Sequence, residues 1–233
     1  MSGHSKWANI KRRKGAVDAK RGRLFGKLVT EIIAAVRQGG ASPDGNPRLR
    51  LAIQNAKGAN VPKDNIERAI AKGHKSDHVA YETVTYEGYA PYGIAMIVAC
   101  VTDNLNRTVA AVRAAFTKCG GSLSKSGSLA HLFDRKGVFV LSQQSVPDQD
   151  ALDLAMIEAE AEAITSEEDY LYVTCPLEAF GSVQKALEAL QLVPESATLQ
   201  YIPHASVAVQ GNAAATVMKL IEALEDNVDV QTV

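Results

Sequence analysis

Apolar residues recur at three- and four-residue steps from Val17 onward: Val17, Leu24, Phe25, Leu28, Val29, Ile32, Ile33 and Val36. This period predicts one face of a long helix. Gly39-Gly40 supplies its stop, since glycine accepts the left-handed conformation that ends a helix. The period then restarts twice. Asn46-Pro47 reads as an N-cap followed by proline at the first helical position, where the missing N–H costs nothing. That helix runs to about Lys57 with Leu49, Ile53 and Ala56 inward. Pro62 opens a third, with Asp64 and Glu67 near its positive end, Ile66, Ala69 and Ile70 on its apolar side, and Gly73 closing it. Three helices on short connections predict a small bundle ending near residue 75.

Beyond that point the pattern changes to strands. Tyr81–Tyr86 is rich in Thr, Tyr and Val, Gly88–Gly93 (GYAPYG) is a turn cluster, and Ile94–Val101 is a continuous apolar run. Thr102-Asp103-Asn104 offers caps for a helix with Val109, Val112 and Phe116 on one face, stopped by Gly120-Gly121. Strands follow at Ser128–Phe133 and Gly137–Leu141. Pro147-Asp148 opens a helix with Leu152, Leu154, Met156 and Ile157. Strands near Ala163–Thr165 and Tyr170–Thr174 come next, then a helix from Pro176 with Leu177, Phe180, Val183, Leu187 and Leu190 inward, and a strand at Ala197–Ile202. This is a β-α-β-β-α-β unit, the split pattern of ferredoxin-like folds. The tail, a strand at Val207–Val209, a helix over Ala213–Leu224 and a strand at Val228–Val233, is half of another such unit. Residues Ile94–Phe133 are the other half. The expected fold class is α+β: an N-terminal three-helix domain (1–75), a ferredoxin-like α+β domain split in sequence (76–133 plus 205–233), and a second ferredoxin-like domain inserted in it (134–204).

Charge adds what periodicity cannot. The 233-residue chain has a formal net charge of −1, but this is a cancellation. Residues 1–75 hold 17 Lys/Arg against 5 Asp/Glu, and the rest hold 8 against 21. Such segregation points to a polyanionic partner for the basic part. The candidate contacts are His4, Lys6, Trp7, Lys11, Arg12, Arg13, Lys14, Lys20, Arg21, Arg23 and Lys27, a run with Asp18 as its one acid. Met1–Gly15 lacks an apolar period and its like charges repel, so it is expected to order on a phosphate surface. Lys20, Arg23 and Lys27 carry the basic character onto the face of the first helix opposite its apolar stripe. Lys and Arg contacts to phosphate position a protein without reading sequence. Trp7 has two readings that the sequence leaves open, stacking on an exposed base or pinning the segment to the bundle.

Four stretches carry a family resemblance: GHSKWANIKRRKGAVDAKRGRLF, GNPRLRLAIQNAKGANVPKDNIERAI, TYEGYAPYG and TDNLNRTVAAVRAAFTKCGGSLSKSGSLAHLFDRKG. The chain resembles the YebC family, which includes the mitochondrial translational activator of cytochrome c oxidase. The likeness is dense from Gly3 to Lys136 and looser afterwards. It implies the same three-domain architecture, no catalytic residues and no cofactor. Bacterial members are described as cytoplasmic DNA-binding transcriptional regulators, and others act in translation at the ribosome. The resemblance therefore implies a nucleic-acid-binding regulator of gene expression whose target is duplex DNA or ribosomal RNA. Where most relatives have Arg in TDNLNRT this chain has Leu105, which weakens that loop as a second phosphate site.

Other chemistry is sparse. Cys100, Cys119 and Cys175 are widely spaced and odd in number, which fits a reducing, cytoplasmic setting. No apolar run is long enough to span a bilayer, and the N-terminus lacks the apolar stretch of a secretory signal. His74 and His78 have no third ligand nearby, so no metal is expected. GYAPYG lacks the Lys-Ser/Thr ending of a phosphate-binding P-loop. Lys63, Asn65 and Arg68 look like generic exposed positions, and no base-reading helix-turn-helix stands out. The expectation is a non-enzyme without cofactor or small-molecule substrate. Nothing in the sequence sets an oligomeric state.

Overall fold

The computed structural model describes residues 18–74 and 80–233, with side chains from residue 22 onward. Three helices open it: α1 (Asp18–Gly39), α2 (Pro47–Gly58) and α3 (Lys63–His74). Their shared core is Ile32, Ile33, Val36, Leu49, Ala56 and Ile66, with neighbours from each helix. Asn46 fixes the α1–α2 corner. Its side-chain oxygen accepts from the Leu49 N–H at 3.1 Å, and its amide donates to the Ala35 and Gly40 carbonyls, each at 2.8 Å. One buried side chain thus starts one helix and closes another. Gly40 takes φ +88° at that stop. Gly73 presses on Val36, where an added Cβ would lie 2.7 Å from the Val36 Cβ.

Two four-stranded antiparallel sheets follow. The first has the order β3-β1-β2-β8, from β1 (Glu82–Ala90), β2 (Ile94–Thr102), β3 (Ser122–Leu123) and β8 (Val230–Thr232). Helices α4 (Leu105–Lys118) and α7 (Gly211–Glu225) pack on it through Val112, Phe116, Val217, Leu220 and Leu224, over Met96, Val98 and Cys100. The second sheet has the order β5-β6-β4-β7, from β4 (Phe133–Ser142), β5 (Ala163–Glu167), β6 (Tyr170–Pro176) and β7 (Ser196–Pro203). It is covered by α5 (Gln149–Glu158) and α6 (Phe180–Ala189). Connection and strand order in this second unit are those of a ferredoxin-like fold.

The first sheet departs from the expected element positions. Its β1 pairs with β2 from Glu82↔Thr102 to Ala90↔Ile94, around a tight turn at Pro91–Gly93. This hairpin takes the slot that the sequence pattern gives to Val207–Val209. Residues 205–210 form no strand, and Val207 is 74% exposed. Gly88, Tyr89 and Ala90 belong to β1, so the turn is shorter than GYAPYG suggests. The strand expected at Ser128–Phe133 is instead a 3-10 turn (Ala130–Leu132) leading into β4, while the short β3 pairs with β1 at Gly88 and Tyr89. In α5, Leu152 and Met156 are buried, whereas Leu154 and Ile157 are 65% and 72% exposed. Helix α6 begins at Phe180, four residues after Pro176, and leaves Leu177 exposed.

Candidate nucleic-acid interface

His4, Lys6, Trp7, Lys11, Arg12, Arg13 and Lys14 lie outside the described residues, as does His78. Lys20 and Arg21 lie on the helical backbone of α1, their side chains undescribed. Arg23 and Lys27 are placed. Arg23 Nη2 lies 3.2 Å from Asp226 Oδ1, just past the end of α7. Lys27 is half-buried where α1 packs against β2, near enough for its charge to oppose the rise of the Cys100 thiol pKa. The basic side of α1 at these two positions therefore faces the split α+β domain. The Arg23–Asp226 pair is largely solvated, and pairs of this kind contribute little to stability.

Two further cations of the bundle have structural partners. Arg48 grips Glu31 through Nε–Oε1 at 2.7 Å and Nη2–Oε2 at 3.0 Å, and reaches Thr83 Oγ1 at 3.2 Å. It joins α2 to α1 and to the start of β1. Arg37 stacks over the Tyr81 ring, 5.2 Å from its centroid, with Nε and Nη1 buried and unbonded among the described residues.

A different set stays outward. Arg50 and Lys57 are exposed, and their seven-residue spacing puts them on one face of α2. Lys63, Arg68 and Lys72 are exposed on α3, with His74 at its end. Lys63 pairs loosely with Glu67 at 3.6 Å, and Arg68 bonds the Asp64 carbonyl and Asn65 of its own helix. Lys63 and Arg68 read as generic in the sequence. Arg50 and Lys57, seven apart, and Arg68 and Lys72, four apart, share helix faces, and that spacing is the signal that groups them.

TDNLNRT forms a polar lock. Asn104 caps α4, accepting from the Arg107 N–H at 3.0 Å. Arg107 binds Asp229 through Nε at 3.2 Å and Nη2 at 2.8 Å, and Asp103 at 2.7 Å. These carboxylates hold the Arg107 guanidinium pKa above its ordinary value through hydrogen bonds. Thr108, fully buried, has its hydroxyl 2.8 Å from Asp229 Oδ2 and 2.7 Å from the Thr102 hydroxyl. The only cation of the loop is thus occupied by carboxylates. Asp229, which completes the lock, lies 122 residues from Arg107 and carries no local sequence signal.

Among the described residues, no three His, Cys, Asp or Glu side chains gather to hold a metal, and no helix is long and apolar enough to cross a membrane.

The architecture is a three-helix cationic bundle ahead of two α+β domains, each with a four-stranded antiparallel sheet. Residues 5–76 match the family model described as TACO1/YebC protein N-terminal domain, and residues 81–233 match TACO1/YebC second and third domain. The chain belongs to the TACO1/YebC family. It is 61% identical to a probable transcriptional regulatory protein of Amoebophilus asiaticus, over 100% of this chain and 96% of that protein. A protein of the same description from Geotalea uraniireducens is 50% identical, over 100% and 94%. The crystal structure of a conserved hypothetical protein from Aquifex aeolicus superposes with a TM-score of 0.83 at 43% identity, over 94% of this chain and 90% of that one.

Proposed function

We propose that this chain is a non-catalytic regulator of gene expression that grips nucleic acid through its basic N-terminal region. The observation that carries the reading is the segregation of charge, 17 basic against 5 acidic residues in the first 75. Outward Arg50, Lys57, Lys63, Arg68 and Lys72 extend this cationic surface over the bundle. The names of the relatives, probable transcriptional regulatory proteins, support a regulatory role. In this reading Lys and Arg neutralise phosphates and release counterions, so binding is steeply salt-dependent. The protein works in the cytoplasm, and the acidic domains carry the bundle and hold off like-charged surfaces.

A second target is favoured by one specific feature. The cations that α2 and α3 turn outward, Arg50, Lys57, Lys63, Arg68 and Lys72, can hold phosphates without reading base edges. Recognition by shape and phosphate suits a folded RNA, such as ribosomal RNA, better than groove insertion. Duplex-DNA affinity and co-sedimentation with ribosomes, both at physiological salt, separate the targets. Retained duplex binding supports a DNA regulator. Loss of duplex binding with retained ribosome binding assigns RNA, and loss of both overturns the nucleic-acid reading.

A further inference from the structure

A cavity of about 450 Å³ opens at the β3 edge of the first sheet, within the acidic two-thirds of the chain. Three elements supply its walls. From α4 come Arg113 and Thr117, four residues apart and so on one face. Thr85 comes from β1. Ser124, Lys125 and Ser126 come from the loop that leaves β3. Arg113 and Lys125 are exposed, and neither has a carboxylate partner among the described residues.

The loop is held from beneath. Glu87, a buried residue of β1, accepts the Gly127 N–H on Oε1 and the Leu129 N–H on Oε2, each at 2.6 Å. Its backbone carbonyl accepts the Ser124 N–H at 2.8 Å. Gly127, at φ +82°, lets the chain turn back. Glu87 also lines the cavity, but both its oxygens are engaged by the loop backbone. Beside the apolar Val109 and Leu123, the lining holds an arginine, a lysine and several hydroxyl donors. This is the donor set that recognises a phosphate group. The setting makes it unusual, since acids outnumber bases by 21 to 8 after residue 75. Arg107, the other cation of α4, is committed to Asp229 and Asp103.

We propose that this cavity is a phosphate-binding site, which takes either a backbone phosphate of nucleic acid or a free nucleotide. It stands apart from the basic bundle and does not require that the N-terminal region be the grip.

The test follows the backbone amide signals of Ser124, Lys125 and Ser126 by NMR in the full chain. The probes are inorganic phosphate and a ten-nucleotide single-stranded RNA. Both are expected to shift these signals saturably, with the RNA competing against phosphate. Arg113→Gln with Lys125→Gln should weaken both by about tenfold or more and flatten the salt slope for RNA by about 0.7 per lost contact. Replacing Lys11, Arg12, Arg13 and Lys14 by Ala should leave the phosphate shifts in place, so that failure of the N-terminal grip is read separately. Shifts with phosphate and none with RNA support the site and assign its ligand to small phosphates. Signals unmoved by either probe, or moved equally in the double variant, overturn the proposal.

Discussion

Arg107 and Asp229 form a bidentate pair across the insertion, with Nη2 2.8 Å from Oδ1 and Nε 3.2 Å from Oδ2. Arg107 opens α4, Asp229 precedes β8, and the whole inserted domain lies between them in the chain. The Asp229 carbonyl also accepts the Val101 N–H at 2.8 Å. The pair therefore closes the split domain at the point where its two sequence segments meet.

The two partners should respond unequally to truncation. Asp229 is 9% exposed in its side chain and Arg107 50%. Arg107→Ala leaves a buried carboxylate with the Thr108 hydroxyl, at a cost of about 3 kcal/mol. Asp229→Ala leaves a half-exposed guanidinium that still has Asp103 and water, at a cost of about 1–2 kcal/mol. Urea unfolding of both single variants and the double variant measures the asymmetry. Strictly additive losses would show that the pair is not coupled.

Asn55 ties the bundle to the inserted domain. Its amide donates to the Ala197 carbonyl and its oxygen accepts the Ala197 N–H, both at 2.8 Å, so it extends the edge strand β7 by one side chain. Asn55→Ala should cost about 1–2 kcal/mol and raise amide exchange at Ala197. Unchanged exchange there would remove Asn55 as the clamp.

Burial pushes the Cys100 thiol up to about 12 and the Cys175 thiol up to about 11. A raised thiol pKa favours the folded state fully below the ordinary value of 9.0, and this contribution fades as pH rises through the window from 9.0 toward 12. A thiol reagent at pH 8 should therefore label these two cysteines only as fast as the protein opens. Rapid labelling of either in the native protein would contradict their burial.

His204 and Asp134 lie 2.8 Å apart at the strand pair β4–β7. The hydrogen bond from His204 holds the Asp134 carboxyl below its usual 3.8, with Lys136 adding to the effect. A depressed carboxyl stabilises above its unfolded pKa, and the contribution is lost as pH falls through the lowered value. His204→Ala should raise the Asp134 carboxyl toward its usual value, leaving only the smaller pull of Lys136. An NMR titration in which Asp134 does not move would exclude the pairing in solution.

Most of the fold is legible where side chains act locally. Asn46 is read as a cap, Asn104 is among three cap candidates and Asp148 stands at an expected helix start, and each accepts a first-turn backbone N–H. The inserted unit is legible because every strand carries its own apolar signal. The split domain is harder, since Val207–Val209 alternates like a strand while its slot is already filled by β1. Ser122–Leu123 is too short and polar to announce itself, yet it pairs with β1. At the site, charge marks the basic region, but not which cations face outward. Arg48 and Arg107 look like free charges until Glu31 and Asp229 come beside them, and those partners are far off in sequence.

If the basic N-terminal region holds phosphates, its binding must be steeply salt-dependent. Log affinity against log salt concentration should be measured for duplex DNA or ribosomes with the natural chain and with Lys11, Arg12, Arg13 and Lys14 replaced by Ala. On duplex DNA, each lost phosphate contact should flatten the slope by about 0.9. An affinity and slope unchanged by the four replacements would contradict the account.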